Sequence, residues 1–178
     1  MRIISGSHKG RKINPPKGLP VRPTTDFAKE GLFNILRHRF SFNTIKALDL
    51  FAGTGNISFE LASRGVKEIF AIDADFGCVK FISKTSEDLT LPITVIKADV
   101  FKYLPIQKEP FNFIFADPPY AFEMEKFEFL VHNVQENNLL LEDGVLVIEH
   151  SKSIDLSNLK GFVEFRKYGD SVFSFFAS

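Results

Sequence analysis

Ala47-Leu48-Asp49-Leu50-Phe51-Ala52-Gly53-Thr54-Gly55-Asn56 is the stretch on which the fold turns. A short apolar run ends in two glycines separated by one residue, and apolar residues at helical spacing follow over residues 57–64. This pattern is a strand feeding a helix through a glycine turn, where absent side chains let the backbone approach a ligand. Downstream the alternation continues. Strand-like runs at 68–72, 93–97, 111–116 and 145–149 are separated by helical patterns at 77–88 and 125–135 and by a short turn or helix at 100–104. Strands alternating with helices predict βαβ units and a mostly parallel sheet. Two last β-like segments, 162–168 and 172–176, flank the hairpin turn pair Gly169-Asp170, so the sheet is expected to finish antiparallel. Upstream, apolar pieces at 2–4 and 11–13 around a glycine-bearing loop predict a small hairpin. Thr24 or Thr25 then caps a helix with Phe27, Leu32, Phe33, Ile35 and Leu36 on its apolar stripe.

The chain has 178 residues, 22 basic and 22 acidic side chains, one cysteine and no tryptophan. Such a length predicts one domain, 1–178, with a core that needs neither disulfides nor a structural metal. Cys78 alone makes no internal disulfide and no Cys-rich zinc site, and His132 and His150 lack partners at metal-ligand spacing, so no metal is expected. A single thiol fits a reducing compartment, and the cytoplasm is the expected location. No leader-like segment follows Met1 and no apolar run approaches the roughly 18 residues of a membrane span, so no membrane partner is expected. The zero net charge hides an asymmetry. Residues 1–40 carry nine basic side chains against two acidic ones, a net +7, and the remainder carries −7. A basic arm (1–40) beside an acidic body (41–178) points to a polyanionic partner for the first and a cationic or neutral ligand for the second.

The acidic residues fall at particular places. Asp73 ends the second strand, 18 residues past Gly55, where a carboxylate accepts hydrogen bonds from both hydroxyls of a ribose. A dinucleotide fingerprint would place a third glycine where Ser58 stands, which argues against a bound pyrophosphate. Asp99, followed by Val100, ends the third strand and is suited to an adenine amino group. Asp49, Asp73, Asp99 and Asp117 are expected along one rim of the sheet. Four carboxylates would repel the phosphates of NAD or ATP but suit a sulfonium cation, which favours S-adenosylmethionine. Taken singly, each is also an ordinary polar residue at the end of a strand.

Asp117-Pro118-Pro119-Tyr120, directly after the apolar run 111–116, is the most specific motif. The exocyclic amine of a purine is a poor nucleophile because its lone pair is delocalised into the ring. Two acceptors, the Asp117 carboxylate and the Pro118 carbonyl, can draw its hydrogens and aim the lone pair at a methyl donor. Two prolines stiffen the loop that holds those acceptors, and Tyr120 offers an aromatic face for a base.

Together these residues resemble a class I S-adenosylmethionine-dependent methyltransferase of the amino-methylating type. Met1-Arg2-Ile3-Ile4-Ser5-Gly6, Gly10-Arg11-Lys12, Arg22-Pro23-Thr24-Thr25-Asp26 and Glu30-Gly31-Leu32-Phe33-Asn34-Ile35-Leu36 narrow the resemblance to the RsmD family, in order along essentially the whole chain. The resemblance implies a Rossmann-like fold with a seven-stranded mixed sheet, a C-terminal antiparallel hairpin and a small N-terminal hairpin and helix extension. It implies methylation of guanine N2 in 16S ribosomal RNA, within the small ribosomal subunit or its precursor, with no obligate protein partner. Phe51, Gly53 and Gly55 would shape the methionine side of the cofactor pocket, with Asp49 and Val100 beside it. Asp73 would take the ribose, Asp99 the adenine, Asp117 to Tyr120 the target guanine, and Arg11, Lys12, Arg22, Thr24 and Thr25 the RNA. Phe27, Ala28 and Lys29 stand where relatives commonly place arginines, so part of the expected RNA-binding charge is absent, and His8 stands where an aromatic residue is common.

Other readings stay open on the sequence. Asp-Pro-Pro-Tyr also serves adenine-N6 methylation of DNA or RNA, although 178 residues leave little room for a target-recognition domain. A non-catalytic RNA-binding assembly factor would share the fold but has no need of Asp117. A nicotinamide oxidoreductase fits neither Ser58 nor the Pro-Pro loop. The 21 phenylalanines read as core packing.

Overall fold

The computed structural model describes residues 1–19, 24–119 and 121–178. Arg22 and Tyr120, both expected at the site, lie outside the described residues. Seven strands form one sheet: β1 (Lys46–Leu50), β2 (Glu68–Asp73), β3 (Ile93–Lys97), β4 (Phe111–Ala116), β5 (Leu140–Ser151), β6 (Phe162–Tyr168) and β7 (Ser171–Ala177). Their order is β3-β2-β1-β4-β5-β7-β6. The first five run parallel, and β7 enters antiparallel between β5 and β6. This is the Rossmann-like architecture of class I methyltransferases. The order reverses between β1 and β4, so the crevice at their carboxyl ends is where such a sheet binds ligands.

The helices are α1 (Asp26–Arg39), α2 (Asn56–Ser63), α3 (Phe76–Asp88), α4 (Val100–Tyr103) and α5 (Met124–Glu136). β1 and β4 are apolar on both sides because helices cover both faces of the sheet. On one face α1 and α2 press Leu32, Phe33, Leu36, Ile57 and Leu61 against Phe113, Phe115, Val145 and Phe173. On the other, Phe127, Leu130 and Val134 of α5 pack on Leu48, Ile114, Leu146 and Phe176. Among the described residues no helix is long and apolar enough to cross a membrane.

Two expectations need correction. The strand expected over 145–149 runs from Leu140 to Ser151, because Phe111 pairs with Leu140 before the register shifts, and Asp143 takes φ +63° in the irregular part. Glu142-Asp143-Gly144 has turn chemistry but lies within β5 as an irregularity of the ladder. The N-terminal hairpin is a single bridge, Arg2 with Lys12, closed by backbone bonds such as Ile3 N–H to the Arg11 carbonyl at 3.0 Å. Two three-residue arms cannot hold a ladder alone, and this one is fixed by contacts to α2.

Candidate active site

The crevice at the carboxyl edge opens into a cavity of about 990 Å³. Its wall includes Phe51 to Thr54 after β1, Asp73 to Asp75 after β2, Asp99 to Phe101 after β3, and Asp117 to Pro119 after β4. Four loops that are distant in sequence meet here because parallel strands end on the same edge.

The first loop is conformationally unusual. Phe51 has φ +60°, Gly53 +54° and Gly55 +76°, and Gly55 caps α2 in the left-handed region. A side chain at Gly55 would be strained by that φ, and its Cβ would lie 2.9 Å from the Phe59 ring. Phe51 carries the same kind of strain without being glycine, a feature that collects at functional sites and must be held by its surroundings. The loop is held by β2. Ala52 N–H donates to the Ile72 carbonyl at 2.9 Å, and Gly53 N–H donates to Asp73 Oδ2 at 2.7 Å. Asp73 Oδ1 accepts from Asp75 N–H at 2.8 Å. Asp73 thus clamps the glycine loop while bordering the cavity, and burial raises its pKa against the pull of these amides.

Asp49 departs from the expected row along the rim. It is a residue inside β1, 2% exposed, and its Oδ2 accepts both Ser58 N–H at 3.1 Å and Ser58 Oγ–H at 2.6 Å. It borders the cavity from beneath and ties α2 to β1. Burial pushes its carboxyl up to about 7 even though the Ser58 bonds oppose the shift. Ser58, noted in the sequence only as a missing glycine, is therefore the partner of Asp49. Asp99 is exposed, caps α4 by accepting Phe101 N–H at 2.8 Å, and faces the same cavity beside Val100. Cys78 also touches the cavity, but burial pushes its thiol up to about 12, which leaves it protonated.

Part of the phenylalanine excess belongs to the site. Phe51, Phe101 and Phe122 surround one side of the cavity, with ring centroids 5.5 to 6.4 Å apart, and Phe129 backs Phe101 at 5.2 Å. Phe51 follows β1, Phe101 lies in α4, and Phe122 and Phe129 lie just before and within α5, so no local pattern could group them. Periodicity does mark Phe127 and Leu130 as the buried face of α5, and Phe122 stands just ahead of that helix.

The expected RNA contacts divide. Arg11 and Lys12 are exposed on the hairpin. Thr25 is exposed and caps α1 by accepting Ala28 N–H at 3.2 Å. Thr24 is buried: its hydroxyl donates to Glu149 at 2.7 Å, its carbonyl accepts from Asn56 at 2.9 Å, and it lines the cavity. Its side chain is committed inside the protein, which corrects the expectation that it grips RNA. Lys29, part of the +7 count, is 1% exposed, with its ammonium on the Arg2 carbonyl at 2.7 Å, Asn56 at 2.8 Å and Glu60 at 3.5 Å. It belongs to an internal ion pair and presents no charge to solvent.

The family model described as conserved hypothetical protein 95 matches residues 1–177. YlbH of Bacillus subtilis (strain 168) is 35% identical over 90% of this chain and 88% of its own length. Ribosomal RNA small subunit methyltransferase D of Haemophilus influenzae is 31% identical over 85% of this chain and 79% of its own. The solved structure of yhhF from Escherichia coli superposes with a TM-score of 0.86 at 25% identity, covering 99% of this chain and 96% of that one. On this match, which takes in the glycine turn, the acidic strand ends and the Asp-Pro-Pro loop in one frame, the chain belongs to the conserved hypothetical protein 95 family, that of the RsmD methyltransferases.

Proposed function

We propose that this protein transfers a methyl group from S-adenosylmethionine to the exocyclic N2 of a guanine in 16S ribosomal RNA. The observation that carries the reading is the convergence of Asp73, Asp99 and Asp117-Pro118-Pro119 on one aromatic-flanked cavity. The wall fits the cofactor's chemistry: Asp73 for ribose hydroxyls, Asp99 for an adenine amino group, the glycine loop for close approach of the methionine end, and no cationic side chain in the described lining. When bound there, S-adenosylmethionine supplies an electrophilic sulfonium methyl, given up with the C–S electron pair returning to sulfur.

The protein's own part is positioning. Asp117 and the Pro118 carbonyl accept the two hydrogens of the guanine amine and turn its lone pair toward the donor. The amine proton released on N–C bond formation passes to solvent. Pro118 is buried and Pro119 exposed, so the loop is anchored at one residue and open to substrate at the next. Water exclusion by the phenylalanine wall strengthens these polar contacts. A guanine must leave its stack to reach this cavity, which favours an unpaired segment of RNA. We assign residues 1–40 to RNA binding and 41–178 to the catalytic core of a single domain, acting in the cytoplasm on the small subunit or its precursor. Ribosomal RNA small subunit methyltransferase D, the 31% identical relative, supports the choice of RNA.

The test is methyl transfer from labelled cofactor to small subunits of a strain lacking this activity, with the modified nucleoside identified by mass spectrometry. N2-methylguanosine at one 16S site is expected. Asp117→Ala should lower kcat by about 100-fold or more while cofactor affinity changes less than threefold. N6-methyladenosine, or full activity of Asp117→Ala, would overturn the reading.

A further inference from the structure

A second groove, of about 650 Å³, lies on the outer face of α1 against the end of β6. Phe27 stands at its upper end, 68% exposed, with its ring edge-to-face on Tyr168 at 5.7 Å and 74°. A lone exposed phenylalanine is unremarkable on a protein surface. This one is braced from below. Tyr168 fits against α1 only because residue 31 is glycine: a Cβ there would sit 2.2 Å from the tyrosine ring. Tyr168 in turn packs on buried Phe173 at 5.6 Å, and Phe173 on Phe115 at 6.1 Å, so a ladder of rings fixes Phe27 to the core.

Gly31 and Ile35 complete the mostly apolar floor, and the polar side chains are regularly placed. Glu30, Asn34 and His38 recur every four residues along about 12 Å of helix, all on the groove side. Cations stand toward the margins, with Arg37 exposed on α1 and Arg166, on the same face of β6 as Tyr168, exposed beside Glu164. A carboxylate inside and cations outside suit a ligand whose charge lies at its edges, with apolar faces and hydrogen-bonding rims toward the groove. That is the charge plan of a single RNA strand, phosphates outward and bases inward. A free phosphate or an acidic peptide would set its anion against Glu30. The groove also begins beside the cavity, because Thr24 lines the cavity, Thr25 caps α1, and Phe27 follows in the first helical turn.

We infer that the Phe27–Tyr168 groove is a binding site for unpaired bases that flank the target nucleotide, with Phe27 as a stacking platform and Glu30, Asn34 and His38 facing base edges. The inference rests on the proposed RNA methyltransferase activity and adds a specificity-determining surface outside the catalytic cavity. Base stacking on an aromatic ring tolerates any aromatic and fails with an aliphatic side chain of similar size, whereas an apolar protein contact accepts both.

The decisive comparison is Phe27→Leu against Phe27→Trp, since so exposed a position is replaced without unfolding. With small subunits as substrate, Phe27→Leu should raise KM about tenfold and change kcat less than twofold, with cofactor affinity unaltered, while Phe27→Trp stays near the wild type. A photo-crosslinking amino acid in place of Asn34 should capture 16S rRNA. Equal KM for Phe27→Leu and wild type, or capture of a ribosomal protein in place of RNA, would overturn the inference. If the wild type transfers no methyl group at all, the parent reading has failed. Filter binding of 16S rRNA to the wild type and Phe27→Leu then decides the groove separately: weaker binding by Phe27→Leu supports it, and equal binding overturns it.

Discussion

Asp49 has an ordinary carboxyl pKa of 3.8 in an exposed setting and about 7 in the folded protein, with burial as the main cause. Between those values the folded state holds a proton that the unfolded state has released, so stability is fully present at low pH and falls as pH rises through 7. Asp73 is shifted in the same direction. His150 works the other way: burial lowers its pKa, and its contribution is lost as pH falls below its ordinary 6.5. Substitution isolates the first effect. Asp49→Asn keeps an acceptor for Ser58 and removes the titration, so the loss of stability between pH 5 and 7 should shrink by on the order of 1–2 kcal/mol. Urea unfolding of both proteins at pH 5, 6 and 7 measures it, and parallel slopes would refute the assignment. The sequence places Asp49 in the glycine-turn motif. Its distance from solvent depends on α2 lying over it, which local pattern does not encode.

The turn from β1 into α2 is the element whose local chemistry is most legible. Gly53 and Gly55 mark left-handed backbone, and both have positive φ. Gly55→Ala should cost about 1–2 kcal/mol from the φ alone, with crowding against Phe59 and Ile82 added. A thermal melt should show this loss, and titration with S-adenosylmethionine should show affinity weakened about tenfold. Phe51, at φ +60°, was not legible in the same way, because nothing in a phenylalanine announces a left-handed residue. The tertiary bonds from Ile72 and Asp73 to the following residues hold that strain. β5 shows the opposite failure. Glu142-Asp143-Gly144 has turn chemistry, yet pairing of Leu140 with Phe111 draws it into the sheet as an irregularity of the ladder.

Across the whole molecule, a buried polar chain joins the N-terminal hairpin to the cofactor edge of the sheet. Glu60, fully buried, accepts Ile4 N–H at 2.8 Å and Ser5 N–H at 3.1 Å, and pairs with Lys29 at 3.5 Å and Arg64 at 2.7 Å. Lys29 continues to Asn56, Asn56 to Thr24, and Thr24 to Glu149. Burial lowers the pKa of Lys29 while Glu60 opposes the shift. Breaking a buried pair costs more than the pair contributes, because the remaining charge loses its compensation. Lys29→Met should therefore destabilise the protein by about 3 kcal/mol, with Arg64 limiting the damage. Urea unfolding gives the magnitude, and faster proteolysis within residues 1–13 would show that the hairpin has loosened. An unchanged midpoint and an unchanged cleavage rate would show that the network is not what anchors it.

The alternation of strands and helices, the glycine turn, the acidic strand ends and the Asp-Pro-Pro-Tyr motif are written in the order of residues. Each is a local matter of backbone preference, periodicity or side-chain chemistry at fixed spacing. The packing of distant segments settles which charges are available and which are internal. Lys29 counts as one of nine cations in a basic arm until α2 closes over it, and Thr24 reads as an RNA contact until Glu149 meets its hydroxyl. The same packing settles that Phe101 and Phe122 wall the cavity while Phe27 stands outside on Tyr168. Burial and partnership depend on residues far apart in the chain, and a sequence pattern carries no record of what folds over it.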